Sequence, residues 1–171
     1  MTPKTEYSVS RPLSKAHDRD AFDCEVAPLN EYLRKYALQN QKKDATRTYV
    51  VTIGEKRIAG YYTLVFASVS HEEATEEVAA GLGKYPIPVI LLARLAVAAG
   101  EKGKGLGQAL VRDALLRAVH AADIAGLRAF LVHAKDEAAK NFYQKLGFIS
   151  VPHNDLHLFM KMSNVRASLM S

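Results

Sequence analysis

The sequence predicts a single mixed α/β domain, and three observations carry that reading. A helical pattern near the N-terminus leads into two β-branched, aromatic runs joined by a short turn. A nearly all-apolar run then passes through a glycine-rich turn into a long apolar helix. A short strand, a helix and two last strands complete the order, which is that of an α/β sheet protein with flanking helices. At 171 residues the chain suits one domain with a sizeable core. No linker divides it, so the domain is expected to span residues 1–171.

The totals exclude several classes. Apolar residues at 49% and charged residues at 24% are ordinary for a soluble globular chain. The net charge of +5 permits a polyanionic partner without demanding one. Cys24 is the only cysteine, which rules out an intrachain disulfide and a cysteine zinc site, and no metal site is expected. The opening MTPKTEYSVS has no apolar core of a secretion signal. The most apolar run, Ile87 to Val97, contains Arg94 and is too short to span a bilayer. A cytoplasmic protein with no membrane partner is the expectation.

Each element has its own signal. Residues 1–14 read as a loose lead-in with room for a short strand. From Ala27 to Lys43, Leu29, Tyr32, Leu33, Tyr36 and Ala37 recur at i, i+3, i+4, i+7 and i+8, a helical stripe. Arg34, Lys35, Lys42 and Lys43 fall on the other side or at the end. They form either a solvated face with favourable C-terminal charge or a partner-binding surface. Thr46–Ile53 and Arg57–Ser70 flank Gly54-Glu55 as a hairpin, and Gly60 marks a bend or bulge. His71–Gly83 starts helical and breaks at two glycines, and Tyr85, Pro86 and Pro88 lead extended into the next strand.

Val89–Val97 reads as a central strand buried on both faces. Arg94 within it must be paired or lie at a cleft, because burying a lone charge is costly. Leu106–Ala122 is a helix apolar around most of its circumference. Ala129–His133 is a short strand. Asp136 is placed to cap a helix through Leu146, with Gly147 as its stop. Phe148–Val151 and Leu156–Lys161 are the last strands. Residues 163–171 read as a flexible tail.

The most informative stretch is Lys102-Gly103-Lys104-Gly105-Leu106-Gly107-Gln108. The first N–H groups of a helix have no intrahelical partners, and a glycine-rich turn before them lets an anion approach the backbone. Two lysines add charge. The turn is not a Walker A loop: Gly100 and Gly105 have its spacing, but Leu106 and Gly107 stand where Lys and Ser/Thr should follow. Nor is it the dinucleotide fingerprint, because Gln108 occupies the last glycine position.

A turn of this kind between a buried strand and a long helix, followed by a second strand and the helix EAAKNFYQKLGF, resembles the GNAT acetyltransferase family. The resemblance implies that Lys102, Gly103, Lys104, Gly105, Leu106, Gly107 and Gln108 cradle the pyrophosphate of acetyl-CoA. It implies that Leu95, Ala96 and Val97 line the pantetheine, and that Asn141 lies near the cofactor. It makes Tyr143 the general acid. Lys102 departs from the family, which usually has Gln or Arg there; the charge is kept, and backbone amides then carry most of the recognition. The chemistry assigned to Tyr143 is sound, because a phenol with a pKa of about 10 is protonated at neutral pH and can donate to a departing thiolate. No base stands out. His133 ends a strand and is either structural or a base; an α-amino acceptor with a pKa of about 8 is already partly neutral and needs little help.

The resemblance narrows further. FDCEVAPLNEYLRKYALQNQKKDATRTYVV, GYYTLVFASVS with HEEA, PIPVILLARLAV and AKNFYQKLGF look like the GNAT toxins of bacterial toxin–antitoxin pairs. That resemblance implies acetyl transfer to the α-amino group of aminoacyl-tRNA, arrest of translation, a ribbon-helix-helix antitoxin and a homodimer. Cations that would meet tRNA phosphates are Arg34, Lys35, Lys42, Lys43 and Arg47, with Arg94 nearer the cleft. Two alternatives stand beside this reading: a GNAT enzyme acting on a small amine or a protein N-terminus, and a non-catalytic CoA-binding regulatory module.

Overall fold

The computed structural model describes residues 6–170. Seven strands pair in the order β1-β2-β3-β4-β5-β7-β6. They are β1 (Arg11–Pro12), β2 (Arg47–Ile53), β3 (Arg57–Val69), β4 (Ile87–Val97), β5 (Ala129–His133), β6 (Ile149–Val151) and β7 (Asn154–Lys161). The sheet is mixed: β4 and β5 run parallel, and β1–β2, β2–β3, β5–β7 and β6–β7 are antiparallel. No helix among the described residues is long and apolar enough to cross a membrane. Packing divides the chain into two compact units, one up to Val65 with Arg94–Asp113, the other Phe66–Ala93 with Ala114 onwards.

The first unit carries α1 (Ala27–Glu31), a π-helical turn at Tyr32–Tyr36 and α2 (Ala37–Lys42). Leu33, Ala37, Tyr61 and Val50 form the fully buried centre of its core. The π turn alters the expected helical stripe. Ala37 N–H donates to Tyr32 C=O, an i to i+5 bond that inserts one extra residue per turn. Leu33 and Ala37 stay inward, but Tyr36 rotates out and is 49% exposed. Gly60 lies beside a bulge, as its position in the strand suggested: Val51 pairs with Gly60 and Thr52 with Ile58, so Ala59 is the additional residue. A Cβ at Gly60 would sit 2.9 Å from Leu110 Cδ1 and 3.1 Å from the Ala96 carbonyl oxygen. Glycine there lets α4 (Leu106–Ile124) press directly on β3.

The second unit carries α3 (Glu76–Ala79), α5 (Glu137–Lys145) and α6 (Met162–Leu169). Its core joins Val78, Ile87, Val89, Ala129, Leu131 and Phe159. Asp136 caps α5 by accepting from Ala139 N–H at 2.8 Å, and Gly147, at φ +103°, ends it. The flexible tail expected at 163–171 is corrected through Leu169. Those residues form α6, with Met162 and Val165 buried against the core. The main chain is held as well, because Met162 N–H donates to Arg128 C=O at 3.0 Å, and the side chain of Asn164 donates from Nδ2 to Glu77 at 2.9 Å. Arg128 also donates from Nε to Val78 C=O and from its guanidinium to Ala80 C=O, so one side chain ties α3 to β5.

Candidate active site

The glycine-rich turn of the first unit has the geometry of an anion cradle. Gly103 and Gly105 take φ of +80° and +83°, the left-handed region open chiefly to glycine. A Cβ built on either meets nothing within 4 Å, so the space above the turn is open. Ala109 N–H bonds to Gly105 C=O as the first turn of α4 closes. The N–H groups of Leu106, Gly107 and Gln108 precede that bond and bear the positive end of a 19-residue helix. Upstream, Ala96 is buried while Leu95 and Val97 are half-buried on the alternate face of β4.

The turn is scaffolded from a distance, and the sequence reading missed this. Lys102 Nζ donates to Cys24 C=O at 2.8 Å. Lys104 Nζ pairs with Glu101 at 3.0 Å, and Tyr7 OH donates to the same carboxylate at 2.8 Å. Glu101 is nearly buried, and the Tyr7 hydrogen bond, with that from Lys104, holds its carboxyl below the usual 4.5. Burial, then Glu101, pushes Tyr7 up to about 12. The carbonyl that receives Lys102 is presented by a tight bend. Asp23 accepts from Glu25 N–H and from Asn30 Nδ2, Asn30 accepts from Cys24 N–H, and Glu25 sits at φ +67°. The two lysines, expected as charge for phosphate, also brace the loop through these partners.

Tyr143 lies in the second unit near the end of α5. It is 7% exposed, with Phe142 and Phe148 packed edge-on at centroid distances of 5.1 and 5.6 Å. Burial raises its pKa well above the ordinary phenol value, so its proton stays on at any working pH. Asn141 is exposed and two residues away, hence on a different side of the helix. His133, at the end of β5, stacks on His157 with centroids 3.9 Å apart and planes 12° from parallel. Among the described residues no cluster of three metal-ligating side chains occurs.

The cations expected to meet phosphates divide. Arg47 is engaged locally, with Gln41 C=O and Asp44 each at 2.8 Å. Lys35 pairs with Glu31 at 3.2 Å across an exposed helix turn, and Arg34, like Lys43, is exposed. Arg94 lies 4.4 Å above the Tyr32 ring, a cation–π contact that answers the expectation of a partner. Lys42 belongs to a cluster. The charge of Lys15 above all, with a smaller share from Arg19, lowers its pKa. Lys15 and Arg19 carry no signal in sequence, because only the fold brings them beside α2.

A left-handed glycine turn feeding a helix N-terminus, and a phenol kept protonated by burial, fit an acyltransferase that takes a phosphorylated thioester as donor. The chain belongs to the GNAT acetyltransferase family: the model described as an acetyltransferase (GNAT) domain matches residues 44–150. It is 44% identical over 161 residues to a tRNA-acetylating toxin of Mycobacterium tuberculosis (strain ATCC 25618 / H37Rv), covering 94% of this chain and 96% of that one. Among solved structures, AtaT complexed with acetyl-methionyl-tRNAfMet aligns at a TM-score of 0.88 and 25% identity, covering 97% of this chain and all of the other. A tyrosine-to-phenylalanine mutant of AtaT, bound to acetyl-CoA and the C-terminus of its antitoxin AtaR, aligns at 0.83 and 26% identity, over 96% of this chain and 99% of that one.

Proposed function

We propose that this chain is the toxin of a toxin–antitoxin pair and transfers acetyl from acetyl-CoA to the α-amino group of an aminoacyl-tRNA. The observation that carries the reading is 44% identity to a tRNA-acetylating toxin along 94% of the chain. The local structure supports it. Backbone N–H groups from Gly103 to Gln108 hold the diphosphate, and the strand residues Leu95, Ala96 and Val97 line the pantetheine. Tyr143 donates its proton to the CoA thiolate as the C–S bond breaks. Exposed Asn141 contacts the cofactor from outside that tyrosine's face.

On the acceptor side, Lys42 with Lys15 and Arg19 forms a basic cluster whose mutual repulsion a phosphate backbone relieves. Arg34, Lys35, Lys43 and Arg47 extend that surface, and Arg94 stands nearer the cleft. The partner antitoxin is a ribbon-helix-helix protein, the enzyme a homodimer and its compartment the cytoplasm.

The test is incubation with labelled acetyl-CoA and charged total tRNA, with uncharged tRNA, free amino acids and peptides as controls. Label in the charged pool alone is expected. Label in free amines or peptides instead would identify an enzyme for small amines or protein N-termini. Acetyl-CoA binding with no transfer at all would identify a regulatory module.

A further inference from the structure

The mechanism so far supplies an acid and no base. At neutral pH much of an α-amine with a pKa near 8 is protonated, and an ammonium is no nucleophile. The second unit offers a group for this task. The parallel ladder of β4 and β5 runs from Val89–Ala129 to Leu92–Val132 and stops there. His133 is the next residue of β5 and its last. It therefore stands at the carboxyl end of a parallel pair, where open α/β sheets bind their ligands. The same β5 leads within three residues to Asp136, the cap of the helix that carries Tyr143.

His133 is not alone. Its cross-strand register partner on β7 is His157, and the two rings lie flat against each other. Two stacked imidazoles 3.9 Å apart resist carrying two charges at once. Partial burial, then His157, lowers the pKa of His133 from 6.5. The other charged groups nearby are accounted for. On α5 and β7, Lys140 and Asp155 pair at 3.1 Å. On the loop after β3, the carboxyl of Glu73 is held low by hydrogen bonds from Ser70, with a smaller share from His157. Glu73 and His71 line an open cleft of about 620 Å³ on that loop, and His133 itself reaches solvent, to which it can release a proton.

Resting on the acetyltransferase reading above, we propose that His133 is the general base for the acceptor, with His157 as its positioning residue. His133 takes one proton from the acceptor ammonium, leaving a neutral amine. The amine nitrogen attacks the thioester carbonyl; the C–N bond forms and the C–S bond breaks. Tyr143 gives its proton to the leaving thiolate and recovers one from the amide nitrogen as the tetrahedral intermediate collapses. The products are the acetylated amine, CoA thiol and one proton, which His133 releases to water.

The experiment is the pH profile of kcat/KM on charged tRNA for wild type, His133→Ala and His133→Asn, with acetyl-CoA affinity measured for each by calorimetry. With His133 as base, the wild-type acid limb lies below about pH 6.5. In both variants it moves to the acceptor's own value near pH 8, a loss of about 30-fold at pH 6.5 that shrinks to almost none at pH 9. Unchanged acetyl-CoA affinity certifies the fold of at least one variant. A limb that stays in place while activity drops equally at every pH makes His133 structural and overturns the proposal, as does a change under threefold throughout. If wild type acetylates no charged tRNA at any pH, the function reading falls and the base assignment with it; a wild type that works while the limb does not move sinks the base assignment alone.

Discussion

The glycine-rich turn in the first unit and Tyr143 in the second are built by opposite means. The turn is polar, exposed and held from afar: Tyr7 and Glu101 are 94 residues apart, and Lys102 reaches back 78 residues to Cys24. Tyr143 is apolar in its surroundings and held locally by its neighbours Phe142 and Phe148. The difference suits the work proposed for each. A cradle made of backbone amides gains its grip from a fixed path, and a glycine-rich path has little stiffness of its own. An acid that must keep its proton needs low dielectric around it, which packed rings supply. The turn should therefore govern affinity for acetyl-CoA and the tyrosine the rate.

The sharpest way to break that contrast is Tyr143→Phe. The ring packing survives and the donor is lost, so kcat should fall by about 10²- to 10⁴-fold with acetyl-CoA affinity within about twofold of wild type. Growth arrest on expression should disappear, which a plating assay checks. Next is Gly105→Val, which puts a branched side chain at φ +83°. The left-handed penalty of about 1–2 kcal/mol should raise KM for acetyl-CoA roughly tenfold and leave kcat little changed. If kcat collapses and KM holds, the division of labour is wrong.

Smaller effects sharpen the picture. Lys42→Gln and Lys15→Gln should each raise KM for charged tRNA by about three- to tenfold at low salt. Each should also reduce the slope of log KM against log salt by about 1, with acetyl-CoA affinity intact. The smallest expected effect is that of Glu101→Gln, which loosens the brace under the turn. Because the folded pKa of Glu101 lies below 4.5, its contribution is whole above that value and is lost as pH falls through the lower folded one. The melting-temperature difference between wild type and variant should hold steady from about pH 7 to 5 and vanish in stronger acid.

Local chemistry was legible in the sequence. The hairpin, the apolar strand with its glycine turn, the Asp136 cap and the Gly147 stop stand within a residue or two of their predicted places. Each rests on neighbours in the chain. Tertiary partners were not legible. Nothing near Glu101 marks Tyr7 as its donor, and nothing near Lys102 marks the Cys24 carbonyl, so both lysines read as free charge. Lys15 and Arg19 joined no helix pattern. The C-terminal segment looked polar and frayed because one buried valine and a hydrogen bond to Arg128 leave almost no periodic trace. Tyr36 followed the helical stripe on paper and left it in space, since a π turn changes the phase without changing the composition.

That π turn bears on how the chain tolerates changes of length. An i to i+5 turn is the trace of one residue more than an α-helix needs. Deleting Tyr36, which faces solvent, would let the helix close as a regular α-helix with Leu33 and Ala37 three apart and still on one side. The loop before α1 and the strand after α2 would keep their registers. The first helix is thus a slack link, a place where a lineage can shorten the chain by a residue without disturbing the Asp23–Cys24 bend that braces the glycine-rich turn.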